Sequence, residues 1–258
     1  MWNAAELAEK RKAARVAREF ELALPHELSP EGRIEAVRVF AAELCERYGT
    51  AVDFAIHAPH VAGDIRNVHA HVMMTTRVLE DTGLGEKTVF ERENKWLLAN
   101  GLPLSQIQLR DLRQSWETIA NAQLAREGHD IRIDHRSHVE RGLEIIPTEH
   151  VGVQATQMQR QGLPVDQVAM DDASAKLNGE HILEHPEDLL TLVSGEKSVF
   201  GRHDIARALH RYISSDVRLF QNAFAAVMAS PALVMLQGEQ VDPLTGEVSP
   251  EGSVAKVD

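Results

Sequence analysis

The sequence is poor in cysteine, in aromatic residues and in long hydrophobic runs. A single cysteine among 258 residues, Cys45, excludes an internal disulfide and any zinc or iron–sulfur site built from several cysteines. No apolar stretch approaches the roughly 20 residues that a membrane-spanning helix needs. The first residues are charged throughout and do not resemble a secretory signal. These features predict a globular protein of one or two domains, located in the cytoplasm, with no membrane segment.

Positive charge is scarce as well. The 27 lysines and arginines against 39 acidic residues give a net charge of −12, which argues against a nucleic-acid partner because phosphate binding needs a basic surface. The acidity is largely local, however. Residues 160–197 carry eight acids and three bases, and residues 237–258 carry five acids and one base. A DNA partner for the first 150 residues therefore stays open.

Turn and cap residues divide the first part of the chain into helices and strands. A helix is expected to Ala17, and the alternation over residues 18–24 predicts a strand that stops at Pro25. Ser29 and Gly49 are typical first and last caps of a helix between them. Strands are predicted over residues 50–57 and 68–76, a long helix over residues 104–127 and a short strand over residues 131–133.

The second part of the chain is predicted to be mostly helical. Helix is expected from about residue 155, interrupted at residues 162–164 and at Asn178-Gly179. We therefore expect an α+β domain over residues 1–155, with an antiparallel sheet flanked by helices. An acidic helical connector over residues 156–197, a compact helical segment over 198–240 and a flexible tail over 241–258 are expected to follow.

The most informative local pattern involves three of the 13 histidines. His69 and His71 are two residues apart in a predicted strand and therefore project from one face. His57 ends the preceding strand, and antiparallel pairing would place its imidazole beside theirs. Three neutral imidazoles leave an open coordination position on a metal ion, which can then polarise a substrate oxygen. The alternative is that these are polar histidines on an exposed sheet face.

The remaining strand residues agree with this placement. Phe54 and Val72 alternate with the polar positions, so one face of the sheet is predicted to be core. Glu19 and Glu21 share one face of the first strand, where carboxylates can orient imidazoles or take a proton. Two solvated strand glutamates are the competing interpretation.

Five sequence stretches follow one another in a specific order: REFELALPHEL (18–28), AIHAPHVAGDIRNVHAHVMMTT (55–76), LRQSWETIANAQLAREGHDIRIDHRS (112–137), IIPTEHVG (145–152) and SVFGRHDIARALHRY (198–212). With them the chain resembles the MobA/MobL conjugative relaxases, including the TraA-type relaxase–helicases of agrobacterial and rhizobial plasmids. The last stretch resembles the segment that precedes the helicase domain of the TraA-type proteins.

The resemblance implies a fold and a reaction. Relaxases of this family nick one plasmid strand at the origin of transfer, and their active-site tyrosine stays linked to the 5′ phosphate. Their fold is an antiparallel sheet flanked by helices, with a histidine cluster on the central strands. The cluster holds a divalent metal ion (Mg, Mn or Zn), which polarises the scissile phosphate.

Carried over by position, the resemblance implies the metal ligands His57, His69 and His71. His60 competes with His57, which is favoured because it follows an apolar strand. Glu19 and Glu21 match the paired strand glutamates of the family and are the expected catalytic carboxylates. The expected DNA contacts are Arg77, Arg132 and Arg136, which flank the histidine strand or lie in the family-like RIDHR stretch. Solvated surface arginines are the alternative.

The tyrosines depart from the family pattern. The family tyrosine lies in an N-terminal strand and helix, before the stretch that resembles Met1–Ala5. Here the two tyrosines are Tyr48, at a helix end, and Tyr212, in a C-terminal helix. Tyr48 precedes the strand that ends at His57, so we expect it roughly 25–30 Å from the strand end that carries this ligand. Both are expected to be packing residues. A P-loop motif is also missing from the sequence.

These departures predict a relaxase fragment or gene remnant that is inactive alone. Loss of the first strand would expose a strand edge or an apolar face. Three functions compete. The first is a relaxase-derived domain that binds metal and single-stranded origin-of-transfer DNA, with other conjugation proteins as further partners. The second is a metal-dependent nuclease that uses water, and the third is a non-catalytic module that binds DNA or a partner.

Overall fold

The computed structural model describes residues 1–11, 13–58, 68–147, 166–213, 216–237 and 253–256. These residues form two compact units, Met1–His135 and Arg136–Asp258. Within the described ranges, no helix has both the length and the apolar character to cross a membrane. The domain boundary predicted near residue 155 lies outside the described residues and stays a prediction.

Unit 1 is built on a three-stranded antiparallel sheet, which confirms the predicted fold class. The strands are β1 (Ala17–Ala23), β2 (Val52–His57) and β3 (His69–Thr75), in the order β1-β3-β2. A hairpin of β4 (Arg77–Glu80) and β5 (Gly83–Lys87) follows. The helices are α1 (Trp2–Leu7), α2 (Pro30–Tyr48), α3 (Asn94–Ala99) and α4 (Ser105–Arg126), with a 3₁₀ turn at Val89–Glu91.

One face of this sheet packs against α2 and α4, and the other is open. Ala70, Val72 and Met74 of β3 are completely buried on the packed face. Phe40 of α2 makes an edge-to-face contact with Trp116 of α4, with ring centroids 5.7 Å apart. The alternate residues His69, His71 and Met73 are only partly buried. Strand periodicity therefore sends every second side chain, including the histidines, to the open face.

The predicted caps of α2 are present. Ser29 Oγ accepts a hydrogen bond from the Gly32 amide at 3.0 Å, and Gly49 ends the helix with a left-handed φ of 64°. Glu127, at the end of α4, accepts bonds from the Ser29 amide and hydroxyl at 2.8 and 2.9 Å. The Ser29 amide thereby lowers the pKa of Glu127, so this carboxylate stabilises the fold above its usual pKa range and ceases to do so as the pH falls.

We expect Ser29→Ala to lower the free energy of unfolding by about 1–2 kcal/mol, because the helix loses its N-cap acceptor and Glu127 loses a donor. Urea denaturation followed by circular dichroism would measure this. Thr118→Ala is a suitable control, since Thr118 is an exposed residue inside α4. An unchanged midpoint for Ser29→Ala would contradict the role of the cap.

Two local predictions in unit 1 are wrong. The first helix ends at Leu7 and does not reach Ala17. The reason is tertiary: the Glu9 carboxylate turns inward to bind Arg77 and Lys87 at 2.8 and 2.6 Å. Residues 131–133 form no strand, although the Asn121 side chain pairs with both backbone groups of Ile133 at 2.8 and 3.0 Å.

Unit 2 is mainly helical, as predicted. Its elements are α5 (Asp166–Glu184), α6 (Pro186–Glu196), β6 (Phe200–Gly201), α7 (Arg202–Tyr212), α8 (Val217–Met228), β7 (Leu233–Gln237) and β8 (Ser253–Lys256). The three strands form a small sheet in the order β6-β8-β7. The core contains Ile182, Leu189, Leu190, Phe200, Ile205 and Leu209.

Two expectations for unit 2 are corrected. The predicted break at Asn178-Gly179 is absent and α5 runs through it. Asn178 instead exchanges two side-chain hydrogen bonds with the backbone of Ile146, at 2.7 and 2.9 Å. The expected tail contains β8, whose Val254 is buried in the core. The second predicted break, at residues 162–164, lies outside the described residues.

Candidate metal centre

Three histidines converge on the open face of the unit 1 sheet. In the strand register His57 lies directly opposite His69, and His71 is two residues further along β3. The ring centroids of these imidazoles are 4.7 to 5.5 Å apart. One ring nitrogen of each lies within 4.8 Å of the others. The three sequence-predicted ligands are therefore neighbours in the fold.

The surroundings of these imidazoles suit a divalent metal ion. His57 is exposed, and His69 and His71 are partly buried, so an ion can reach the three nitrogens from solvent. Imidazole nitrogen is a ligand that zinc, manganese and other divalent ions accept, and three protein ligands leave positions for a substrate oxygen. His60, the competing ligand, lies outside the described residues.

Glu19 positions one of the three rings. Its Oε1 lies 2.7 Å from Nδ1 of His71, so the ring donates its Nδ1 proton to the carboxylate. The lone pair of Nε2 is then left for a metal ion, the arrangement that orients many metal-binding histidines. Glu21 lies opposite His71 in the register, on the same face, and is exposed.

A second group of possible ligands was not predicted from the sequence. Glu117, Asp134 and His135 each bring one ligand atom within 4.8 Å of the others, and Nδ1 of His135 hydrogen bonds to Glu117. Asp134 and His135 are adjacent in the RIDHR stretch, so the sequence itself shows these two possible ligands side by side. Glu117 belongs to α4, 17 residues earlier, so only the fold brings it to the pair.

The second group borders a cleft of about 620 Å³ that runs along β1. One wall is formed by consecutive residues from Glu19 to His26, and the other by α4 and by the segment that ends at His135. The apolar residues of its lining include Phe20, Leu22, Phe40, Leu112 and Trp116. The cleft therefore lies beside the strand that carries Glu19 and Glu21.

The three predicted DNA contacts have different environments. Arg77 follows β3 at the end opposite the histidines, and its guanidinium binds the Glu9 carboxylate at 2.8 Å and the Gly85 carbonyl at 2.8 Å. Arg77 lowers the pKa of Glu9 by this hydrogen bond. Arg132 and Arg136 are exposed.

The two tyrosines lie in packed environments. Tyr48 is 7% exposed and makes an edge-to-face contact with Phe90, with ring centroids 5.4 Å apart. It ends α2, near the start of β2, whereas His57 ends β2 about 17 Å along the strand. Tyr212 belongs to unit 2 and is 5% exposed. Burial raises the pKa of both hydroxyl groups.

Relatives with curated names cover most of the chain. It is 33% identical to "Conjugal transfer protein TraA" of Rhizobium radiobacter over 96% of its own length and 24% of that protein. It is 35% identical to "Mobilization protein MobL" of Acidithiobacillus ferridurans, over 62% of this chain and 47% of that one. The chain thus spans about a quarter of the TraA protein and about half of MobL.

A solved structure is similar to part of the chain. It is titled "Molecular Basis of Vancomycin Resistance Transfer in Staphylococcus aureus", and it matches with 28% identity and a TM-score of 0.42 over 53% of this chain and 66% of the other. Residues 1–161 match the MobA/MobL family, and those residues include the sheet, the three histidines and both glutamates of β1. The chain belongs to the MobA/MobL family.

Proposed function

We propose that this chain acts in plasmid mobilization, as the part of a relaxase that binds a divalent metal ion and single-stranded origin-of-transfer DNA. The observation that carries the proposal is the convergence of His57, His69 and His71 on the open face of the sheet. The names of the relatives support a role in plasmid mobilization, and the imidazole cluster supports binding of a divalent metal ion.

The donor set of this chain fits the metal that the family implies. Three neutral imidazoles would hold the ion, and one of them is oriented through Glu19. When bound, the ion supplies a positive charge that polarises the scissile phosphate. The sheet contributes rigidity, because His69 and His71 are fixed in a central strand that is paired on both sides.

Strand nicking by transesterification needs an oxygen nucleophile in line with the phosphate. A tyrosine oxygen would form the new bond to phosphorus, and the 3′ oxygen of the cleaved strand would leave and take up a proton. Glu21, exposed on the same face as the histidines, is our candidate to accept the tyrosine proton. Since Tyr48 and Tyr212 are both packed in cores, we propose that a tyrosine from another polypeptide segment supplies the nucleophile.

We expect Glu19→Gln to weaken metal binding by about 10- to 100-fold, the usual effect of removing a carboxylate that orients a metal-binding histidine. Calorimetric titration with Mn²⁺ or Zn²⁺ would measure the change. Glu21→Gln is the matched control on the same strand and face, and its metal affinity should stay within about twofold. Equal effects of the two substitutions would show that net charge, and not the contact with His71, sets the affinity.

DNA binding is the direct test of the proposed function. A fluorescent single-stranded origin oligonucleotide should bind the chain more tightly than its duplex form, with an anisotropy increase that EDTA weakens. We propose phosphate contacts through Arg132 and Arg136, because both residues are exposed. Absence of binding at low salt would remove DNA from the proposal.

We expect the affinity for this oligonucleotide to fall as salt rises, because each phosphate contact releases condensed counterions. Arg132→Ala should reduce the slope of log affinity against log salt by about 0.7, the value of one contact on a single strand. Arg38→Ala is a control, since Arg38 is an exposed arginine of α2 that pairs with Glu35. An affinity that does not change with salt would contradict binding through phosphates.

A further inference from the structure

Part of unit 2 has the element order of a winged helix-turn-helix. Along the chain the order is α6, β6, α7, α8, β7 and β8. In the sheet, β8 lies between β6 and β7 and pairs antiparallel with both. Residues 213–216 connect α7 to α8. A connection of about this length is typical of helix-turn-helix proteins, in which the second helix enters the major groove of DNA.

The position of α8 beside α7 is fixed by packing and by a helix cap. Leu209 of α7 and Val227 of α8 are completely buried in the core of unit 2. The ring of His210 in α7 meets Phe220 in α8, with ring centroids 6.4 Å apart. Asp216 caps α8, because its side chain accepts hydrogen bonds at 2.9 Å from two amides of the first turn.

The outer face of α8 carries side chains that can read base pairs. The exposed residues of this helix recur at the spacing of one helical face, and they are Val217, Arg218, Gln221, Asn222 and Ala225. In the major groove, arginine can pair with guanine, and glutamine or asparagine with adenine. The three polar residues lie in the first half of α8, the part of a recognition helix that usually contacts the bases.

The outer face of α7 is basic. Its exposed residues are Arg202, His203, Arg207, His210 and Arg211. The carboxylate of Asp204 is partly buried and accepts hydrogen bonds from the Gly201 amide at 2.9 Å and from Lys197 at 3.0 Å. Since the first helix of a helix-turn-helix crosses the phosphate backbone, cationic groups on its outer face match the charge of DNA.

Charge distinguishes these two helices from the rest of the chain. Residues 198–237 contain four arginines, two aspartates and no lysine or glutamate, whereas the whole chain has a net charge of −12. Residues 238–252, between β7 and β8, lie outside the described residues. They carry four acids and no base, so we assign no DNA contact to them. A basic pair of helices in an acidic chain indicates a polyanionic partner.

We infer that unit 2 binds duplex DNA, with the outer face of α8 in the major groove and the basic face of α7 on the phosphate backbone. Arg218, Gln221 and Asn222 contact base edges, and Arg207 contacts a phosphate. An apolar protein partner is not favoured, because Val217 is the one large apolar side chain among the exposed residues of the two helices. The inference goes beyond the proposed function, since this site needs neither the histidine cluster nor a metal ion.

Selection from a duplex library tests base readout. The full chain, in EDTA, is incubated with duplexes that share a randomised central segment, and bound duplexes are amplified over successive rounds. A short sequence should be enriched, and fluorescence anisotropy should show that it binds about tenfold or more tightly than a scrambled duplex. Failure to enrich a sequence would overturn the inference.

Substitutions on α8 locate the readout. Asn222→Ala should weaken binding of the selected duplex about tenfold and relax the preference at one base pair. Gln114→Ala, at an exposed residue of α4 in unit 1, should leave the affinity unchanged. Because both replaced side chains are exposed, both variants should keep the Tm of the unaltered chain. Equal affinities of the two variants would contradict readout through α8.

A substitution on α7 tests the phosphate contact. Arg207→Ala should weaken binding of the selected and the scrambled duplex alike. It should also reduce the slope of log affinity against log salt by about 0.9, the value of one contact on duplex DNA. Arg38→Ala, at an exposed arginine of α2, is the control and should keep the slope. An unchanged slope for Arg207→Ala would overturn the placement of α7 on the backbone.

His69→Ala separates this site from the proposed function. With Mn²⁺ present, this variant should bind the selected duplex with unchanged affinity, because His69 belongs to unit 1. Asn222→Ala should in turn keep the metal uptake of the unaltered chain. Loss of duplex binding in His69→Ala would show that the duplex binds through the histidine cluster, and would overturn the inference.

Discussion

Replacing His69 by alanine is expected to abolish stoichiometric uptake of a divalent metal ion. His69 lies on the central strand, and its ring centroid is 5.5 Å from that of His57 and 5.2 Å from that of His71. Its removal leaves two imidazoles, so a metal ion would lose one of three protein ligands. Calorimetry or elemental analysis after dialysis should show about one equivalent for the unaltered chain and almost none for His69→Ala.

Two controls make this result specific. His60→Ala should matter less, since His57 already completes the cluster with His69 and His71. His135→Ala tests the second group, formed with Glu117 and Asp134. If His135→Ala removes the bound ion and His69→Ala does not, the metal belongs beside the cleft. Unchanged uptake by His69→Ala would in any case contradict the assignment of the three imidazoles.

The sheet and its polar face could be predicted from the sequence because their signals are local. Alternation along β3 separates His69 and His71 from Ala70 and Val72, and that parity holds in any sheet that buries one face. Ser29 and Gly49 likewise act within one turn of α2. The convergence of His57 with the other two histidines needed one further assumption, antiparallel pairing of β2 with β3, which the register confirms.

The failed predictions concern residues whose partners are distant in sequence. Asn178 was expected to break a helix by local turn chemistry, but its amide instead satisfies both backbone groups of Ile146, 32 residues away. Gly179 fits the helix because Leu219 packs where a β-carbon would stand. The short-range propensity of an Asn-Gly pair is thus overridden by packing in unit 2.

The second ligand group, Glu117, Asp134 and His135, could not be predicted from the sequence for the same reason. Asp134 and His135 are adjacent in the sequence, but neither periodicity nor spacing indicates that Glu117 faces them. α4 and the segment after it bring the carboxylate and the imidazole into contact. The Asn121 side chain holds that segment in place through the backbone of Ile133. The spacing of residues along a strand does not indicate a contact such as this one, which joins a helix to the loop segment that follows it.

The chain alone is expected not to react covalently with DNA. This 258-residue chain, incubated with an origin oligonucleotide and Mn²⁺ or Mg²⁺, should form no covalent protein–DNA adduct on a denaturing gel. Tyr48 is held in the core against Phe90, and Tyr212 belongs to the core of unit 2. Burial raises the pKa of both hydroxyl groups, so neither readily becomes a phenolate for attack.

Addition of a polypeptide that contains the family's strand and tyrosine helix should restore the adduct if the histidine site is intact. His69→Ala should then abolish it, because the site would no longer hold the metal ion that would polarise the scissile phosphate. An adduct from the 258-residue chain alone that disappears in Tyr48→Phe or Tyr212→Phe would contradict this assignment of the nucleophile. Cleavage without an adduct, dependent on metal and on His69, would instead identify water as the nucleophile, because hydrolysis leaves no bond between protein and phosphate.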